Sequence, residues 1–327
     1  RLEPEGLALL RRLAESFWPG PLTLVAPACD ELPVEVTSGS GFVGVRCPKH
    51  ALAIELLREA RVPVAAPSAN RFGHVSPTRP EHVMDDLGAH AIFVLRQAAD
   101  EGCCDVGIES TVLKVDQASR SLILLRRGGV PEAELARWVA AEGCAYSFVV
   151  QVAHKAHTPA APAAPLAAPA AGGEGEPHDA PLMAPGMLLT HYAPDAPSFL
   201  FSEAAAADAA AGAASISPVG GAVILDFGGR LASLRSRAFA YRDLSPAADA
   251  SEASTALFEA LRWAEQRANA GGRCVLLPDL GGASPAVGAD GGAATVEHVP
   301  ALSDRLYRAA SGKHACLTAG EQLVAAD

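Results

Sequence analysis

Aromatic side chains make up only 5% of this sequence and charged ones 19%, while half of the residues are hydrophobic. Sparse charge on an apolar background excludes wholesale disorder and leaves ample material for packed cores. No uninterrupted apolar run approaches the ~20 residues of a membrane-spanning helix, so no membrane association is expected. The 7 cysteines include no Cys-x-x-Cys or Cys-x-x-His pair, and the pair His154 and His157 does not make up for it, so no zinc site is expected. An odd count with an adjacent Cys103-Cys104 reads as thiols of a reducing, cytoplasmic compartment rather than a disulfide framework. Basic residues are the minority, 26 against 37 acidic, for a net charge of −11, and neither half of the chain is net positive. A generic polyanion-binding surface is therefore disfavoured. An initiator Met is also lacking, and Arg1 to Arg12 read as a polar amphipathic helix rather than a secretory leader.

What is present fits two domains, since 327 residues is about twice the usual ~150 per domain. The run TPAAPAAPLAAPAAGG at 158–173, with Pro159, Pro162, Pro165 and Pro169, offers nothing to bury and blocks helix, which predicts an extended linker. The expected division is residues 1–150, a linker over 151–195 and a second domain over 196–327. In the first part, periodicity predicts helices over 4–17, 50–60, 80–87 and 131–141. The 4–17 helix presents Leu7, Leu10, Ala14 and Phe17 on one face. Strands are predicted at Leu22–Ala26, Phe42–Val45, Val62–Ala66, Ala91–Leu95, Ser110–Val115 and Ser121–Leu125, a mixed α/β sheet. The second part alternates strand Val219–Phe227, helix 251–269, strand Cys274–Pro278 and helix 294–310, as in a small parallel, Rossmann-like α/β domain.

Gly39, Gly41 and Gly44 satisfy G-x-G-x-x-G but lead into a strand, whereas a dinucleotide loop must open a helix. They read as a glycine turn. More informative are polar groups at strand ends: Arg46 after Val45, Ser68 and Asn70 in APSAN, Ser76-Pro77-Thr78, Glu109-Ser110-Thr111, and Arg126-Arg127-Gly128-Gly129. Hydroxyls, an amide and guanidiniums without a nucleophile–base pair suit holding a carboxylate and a phosphate chain. Each also has a plain alternative: Ser68 as a turn residue, Arg46 as a surface arginine, Arg126 as a sheet-edge ion-pair partner. At the far strand end, Asp226-Phe227-Gly228-Gly229 could line a ligand crevice, or Asp226 could cap a helix.

The segments FWPGPLTLV (17–25), VGVRCP (43–48), VPVAAPSAN (62–70), SPT (76–78), GIESTV (107–112) and RRGGV (126–130) resemble, in order, the motifs of the YrdC/YwlC family of threonylcarbamoyl-AMP synthases. PGMLLTHYAP at 185–194 and LSDRLYRAAS at 302–311 resemble the linker and last helix of its long, two-domain form. The resemblance implies a YrdC-like twisted mixed sheet with a concave cavity, joined to the Rossmann-like domain. It implies conversion of ATP, L-threonine and bicarbonate to threonylcarbamoyl-AMP and pyrophosphate, with Mg²⁺ accompanying ATP and no prosthetic group. The product would pass to the tRNA threonylcarbamoyl-transfer machinery that modifies adenosine 37. By motif, Arg46, Ala66 and Ser110 would bind L-threonine. Ser68, Asn70, Ser76, Arg126 and Tyr192 would bind ATP, with Tyr192 folding the linker across the cavity.

The departures are specific. Only sixteen residues precede Phe17, and none resembles the family's N-terminal strand or its Lys-x-Arg-Pro segment, so no catalytic residue is assigned. The expectation is a fragment of a longer, cytoplasmic protein, with a mitochondrial leader left open. Phe42 stands where family members often carry a small polar residue. Two other readings of the chain are a double-stranded RNA-binding module, for which Arg58, Arg61, Arg71 and Arg79 would have to cluster, and a non-catalytic AMP- or threonine-binding remnant.

Overall fold

The computed structural model describes residues 2–95, 106–143, 145–152, 188–201, 215–281, 297–318 and 322–326. The Ala/Pro/Gly run, Cys103-Cys104, and His154 with His157 lie outside the described residues.

Helix α1 (Pro4–Phe17) starts with Pro at its first position and stops at Trp18-Pro19, where a proline cannot continue the ladder. Its buried stripe is Gly6, Leu9 and Leu13, one position round from the predicted face; Leu10, Ala14 and Phe17 lie at its margin and Leu7 is exposed. The Trp18 indole N–H donates to the Leu22 carbonyl at 2.7 Å and ties the helix end to β1 (Leu22–Pro27). After a single turn of helix, α2 (Val34–Thr37), the turn with Gly39 and Gly41 at positive φ enters β2 (Phe42–Val45), as the glycine pattern implied. Helices α3 (Ala51–Ala60) and α4 (Pro80–Leu87) follow, then β3 (Thr111–Asp116), β4 (Ser121–Arg126), α5 (Glu132–Ala141) and β5 (Ser147–Val150).

The sheet order is β2-β1-β3-β4-β5, with β1 parallel to β3 and β4 parallel to β5, the other pairs antiparallel. Alternation decides the faces. Leu22, Leu24, Leu113, Val115, Leu122 and Leu124 pack with Leu9, Leu13 and Leu135 into one core. The opposite face carries a small cluster of Val25, Val112 and Leu125 beside Phe42 and Ile123, with the Lys114 ammonium 4.2 Å above the Phe42 ring. Phe42 is thus a packing residue of the sheet.

Two predicted strands are corrected. Val62–Ala66 and Ala91–Leu95 are apolar and extended in sequence pattern but join no ladder. Val62 is 60% exposed and Phe93 fully exposed. A run of strand-forming residues becomes a strand only when a neighbour accepts its backbone hydrogen bonds, and among the described residues neither run has one.

The second sheet contains β6 (Ser198–Phe201), β7 (Ser215–Pro218), β8 (Ala222–Asp226), β9 (Ala240–Asp243), β10 (Cys274–Pro278), β11 (His314–Leu317) and β12 (Gln322–Ala326). Its order is β7-β12-β11-β6-β10-β8-β9; β11, β6, β10, β8 and β9 are parallel, and β12 and β7 add an antiparallel edge. The predicted strand Val219–Phe227 is shorter, because Gly220-Gly221 make a 3-10 turn before β8. Helix α6 (Ala250–Asn269) is capped by Asp249, which accepts from Ser251 N–H at 2.8 Å and Glu252 N–H at 2.9 Å. Helix α7 (Val299–Ala309) packs beside it on the same face of the sheet.

Loops of the first domain join the core of the second. Val75, Ile108 and Tyr192 belong to the same apolar cluster as Phe258, Leu261, Leu302 and Leu306. Gly107, at φ +69°, lies against α6, and a Cβ there would sit 2.2 Å from the Thr255 Cα. Gly107→Ala is expected to destabilise the protein by about 1–3 kcal/mol or more through the φ alone. Thermal unfolding should show it, together with faster proteolytic cleavage at the junction; an unchanged midpoint would contradict the close packing.

Candidate active site at the domain junction

The β3–β4 hairpin brings the start of one strand against the end of the other. Arg126, at the end of β4, is buried and donates from Nε (3.1 Å) and Nη2 (2.8 Å) to the Ser110 carbonyl, with Nη2 also 3.2 Å from Ser110 Oγ. Ser110 Oγ lies 2.7 Å from Thr23 Oγ1 of β1. Thr111 Oγ1 donates to the Val130 carbonyl at 2.6 Å and accepts from Val130 N–H at 3.0 Å, locking GIEST to RRGGV. Gly128 is required at the crossing, since a Cβ would come within 2.4 Å of the Glu109 carbonyl oxygen.

Glu109 is the hub. One carboxylate oxygen accepts the Ser76 hydroxyl at 2.8 Å, the other the Arg305 Nε at 3.2 Å. Burial pushes the Glu109 carboxyl up, but Arg305, Arg126 and the Ser76 hydroxyl outweigh it and hold it below the usual range. Arg305 comes from α7 and is 0% exposed. It also donates to Asp304 at 3.0 Å and to the Arg127 carbonyl at 2.6 Å, and lies 5.3 Å from the Tyr192 ring centre. Arg308 holds the same Asp304 oxygen at 3.0 Å and donates to the Leu188 carbonyl, fastening the start of the HYAP segment.

Tyr192 is buried with φ at +62°. Its ring meets Phe258 at 5.3 Å and His191, edge-on, at 4.1 Å. The Tyr192 hydroxyl and His191 Nδ1 are both buried without a hydrogen-bond partner. Each such atom costs desolvation free energy unless a water or a ligand group completes it. Burial drives the His191 imidazole down to about 4, helped by Arg126, Arg308 and Arg305 against the opposing Glu109, so it is neutral near pH 7.

Of the residues singled out in the sequence, Ser76, Ser110, Arg126 and Tyr192 therefore lie in one buried assembly. Asn70 shapes the loop before it: its amide donates to the Arg71 and His74 carbonyls at 2.9 Å each, and its Oδ1 is buried without a partner. Arg46, Ala66 and Ser68 are exposed and lie outside the buried network. Sequence reasoning placed Glu109 among the polar strand ends without a role of its own, and gave none to His191 or Arg305. Asp304, Arg305 and Arg308 did carry a signal: charges at i and i+4 on the side of a helix that its leucines bury.

A second polar cluster holds the junction. His74 Nδ1 is 2.9 Å from Asp86, and Nε2 is 3.1 Å from Glu265 of α6. Arg262 of α6 contacts both Asp86 oxygens, at 3.3 and 3.0 Å, and the Val75 carbonyl. Arg71 pairs with Asp195 at 2.8 Å and Arg79 with Glu259 at 2.8 Å, so these two arginines face carboxylates rather than forming a basic patch. His74 Nε2 and the Asp195 and Glu265 oxygens lie within 4.8 Å of one another, the group among the described residues whose donors could meet on a cation. An imidazolium already balances the charges: three carboxylates face Arg71, Arg262 and His74. Of the two readings of the strand end at Asp226, ligand crevice or helix cap, the crevice is filled by the protein's own groups. Asp226 accepts from Phe227 and Leu231 N–H and the Tyr241 hydroxyl, and Asp243 from Gly228, Gly229 and Ser245 N–H.

A mixed sheet whose strand ends gather arginines, a carboxylate and hydroxyls against a parallel α/β domain defines a two-domain α/β protein with a charged junction. Residues 7–128 match the Sua5/YciO/YrdC family model, described as telomere recombination, and residues 151–311 match the threonylcarbamoyl-AMP synthase C-terminal domain. Threonylcarbamoyl-AMP synthase of Bacillus subtilis is 36% identical over 188 residues, 57% of this chain and 45% of its own length. That of Pyrococcus abyssi is 42% identical over 123 residues, 38% and 34% of the two chains. The Schizosaccharomyces pombe enzyme is 34% identical over 202 residues, 60% and 43%. The chain thus spans less than half the length of these curated relatives. The crystal structure of P. abyssi Sua5 complexed with L-threonine superposes with a TM-score of 0.62 at 26% identity, covering 95% of this chain and 75% of that one. The chain belongs to the two-domain Sua5/YrdC family.

Hydrogen bonding to Glu265, and secondarily to Asp86, raises the His74 pKa above its ordinary value against the effect of burial. Its stabilisation is fully present below the unfolded value of about 6.5 and fades as pH rises through the higher folded value. Unfolding midpoints between about pH 5.5 and about pH 9 should therefore show a His74→Gln deficit that is largest at the acidic end and shrinks upward. A deficit that grows with pH would refute the imidazolium assignment.

Proposed function

We propose that this protein is an L-threonylcarbamoyladenylate synthase, a nucleotidyltransferase that joins ATP, L-threonine and bicarbonate into threonylcarbamoyl-AMP with release of pyrophosphate. The observation that carries this reading is the convergence of SPT, GIEST, RRGG and HYAP on one buried assembly of Ser76, Glu109, Ser110, Arg126 and Tyr192. GIEST and RRGG meet through the β3–β4 hairpin, whereas SPT and HYAP lie far from it in the chain and have no local reason to join them. The relatives named above are threonylcarbamoyl-AMP synthases, and one was solved with L-threonine.

The chemistry asks for placement more than for covalent help. The threonine amine adds to the carbon of bicarbonate with loss of water; the resulting carbamate oxygen attacks the α-phosphorus, and pyrophosphate leaves. In this reading Arg46, with Ala66 and Ser110, receives the threonine carboxylate, and Ser68, Asn70, Ser76 and Arg126 line the ATP side. The unpartnered Tyr192 hydroxyl and Asn70 Oδ1 take their missing hydrogen bonds from the nucleotide. Neutral His191 packs edge-on against Tyr192 and sets its ring. Mg²⁺ arrives as the ATP complex, held largely by phosphate oxygens; Glu109 is already committed to Ser76 and Arg305. The division into a synthase domain (1–150), a linker (151–195) that carries Tyr192 over the cavity, and a C-terminal domain (196–327) belongs to this proposal. So do cytoplasmic placement and delivery of the product to the tRNA threonylcarbamoyl-transfer machinery.

The test is threonine- and bicarbonate-dependent release of pyrophosphate from ATP, with threonylcarbamoyl-AMP identified by mass. Tyr192→Phe should lower kcat/KM by about ten-fold, the worth of one buried hydrogen bond, without loss of stability. Pyrophosphate release that ignores threonine and bicarbonate would exclude the synthase reading.

A further inference from the structure

Arg305 belongs to the last helix of the second domain, yet its polar contacts include the first domain. Its guanidinium is fully buried and meets Glu109 (3.2 Å), the Arg127 carbonyl (2.6 Å) and its neighbour Asp304 (3.0 Å), with the Tyr192 ring beside it at 5.3 Å. Asp304 is itself held by Arg308, so Arg305 is oriented from behind before it reaches forward. A planar fork with fixed donor directions can satisfy several acceptors only in one arrangement of them. That arrangement includes Ser76, through Glu109, and the Arg126-Arg127 turn, through the Arg127 carbonyl.

We propose that Arg305 is a positioning residue of the synthase cavity: by gripping Glu109 and the Arg127 carbonyl it sets the SPT and RRGG segments in register, so the C-terminal domain completes the nucleotide side of the site. This rests on the synthase reading. Arg305 acts through Glu109 and touches no reacting atom. Its reach into the first domain sets it apart from Arg308, which grips Asp304 of its own helix and the Leu188 carbonyl of the HYAP segment.

The charge state of Glu109 gives the test its handle. Facing it are Ser76 on its loop, Arg126 from β4, His191 and Tyr192 from the HYAP segment, and Arg305 with Asp304 from α7. Two cations thus hold one half-buried carboxylate ionised. Without Arg305 the carboxyl takes up a proton more readily, and a protonated Glu109 no longer accepts from Ser76 in the same way.

The experiment compares the unaltered protein with Arg305→Ala, Arg305→Lys, Glu109→Gln and the Arg305→Ala/Glu109→Gln double variant. It measures kcat and KM for ATP and L-threonine between about pH 6 and about pH 9. Arg305→Ala should lose about ten-fold or more in kcat/KM for ATP, with a deficit that widens toward acid pH. Glu109→Gln should show a similar loss with no such pH dependence, and the double variant should be no worse than either single change. Arg305→Lys should restore the pH profile but not the full rate, because an ammonium keeps the charge and loses the fork. Additive losses, or an Arg305→Ala profile parallel to that of the unaltered protein with only a lower melting temperature, would reduce Arg305 to a brace and overturn the proposal. Should Arg305→Ala fail to fold, Arg305→Lys combined with Glu109→Gln decides by the same criterion of additivity. Absence of product from the unaltered protein would count against the synthase reading alone. The carboxyl carbon of Glu109, followed by NMR without ligands, would then decide: an upward-shifted titration in the Arg305 variant supports the proposal, and an unmoved one sinks it.

Discussion

A half-buried carboxylate that must stay ionised constrains the whole junction. Glu109 lies where desolvation favours its neutral form, and it remains charged because Arg305 and Arg126 converge on it from different domains. A buried ion pair is weak evidence for stability, since desolvating both partners offsets much of their attraction. Its value here is geometric. Each remaining donor and acceptor must be matched, and the matches run through Ser76, the Arg127 carbonyl and Asp304. Moving any of these leaves a buried charge with an unmet hydrogen bond, so the assembly has few alternatives.

The C-terminal domain has the outline of a ligand-binding parallel sheet but turns its resources inward. Asp226 and Asp243, placed at the strand ends where such sheets bind ligands, are occupied by backbone N–H groups and the Tyr241 hydroxyl. What the domain offers outward are the faces of α6 and α7. The first supplies Arg262, Glu265 and Glu259 to the loop around His74 and Arg79; the second supplies Arg305 to Glu109. A sheet has been used as a rigid mount for two helices.

Much of this was legible in the sequence where local pattern dominates. Helices α3 to α6 and strands β2 and β10 end within a residue of where periodicity and breakers put them. Ser76, Ser110, Arg126 and Tyr192 were reachable by motif. The strands at Val62–Ala66 and Ala91–Leu95 were misread because composition reports what a segment can form, while a ladder depends on a neighbour. The short strands β7 and β9, at the two edges of the second sheet, and β12 beside β7 escaped for the converse reason: they exist only by virtue of their partners. Glu109 had no role assigned and His74 was passed over because the groups that give them meaning, Arg305 and Glu265, lie 196 and 191 residues further along the chain.

Those separations also bear on how the molecule comes into being. β1 pairs in parallel with β3, nearly ninety residues away, so the first sheet cannot close until Thr111 has been made. Glu109 must then wait for α7. During synthesis from the N-terminus the first sheet can assemble while the carboxylate at its heart has only Arg126 and Ser76 for company. The junction reaches its final form only once α7 has left the ribosome, so its closure follows the order in which the residues emerge.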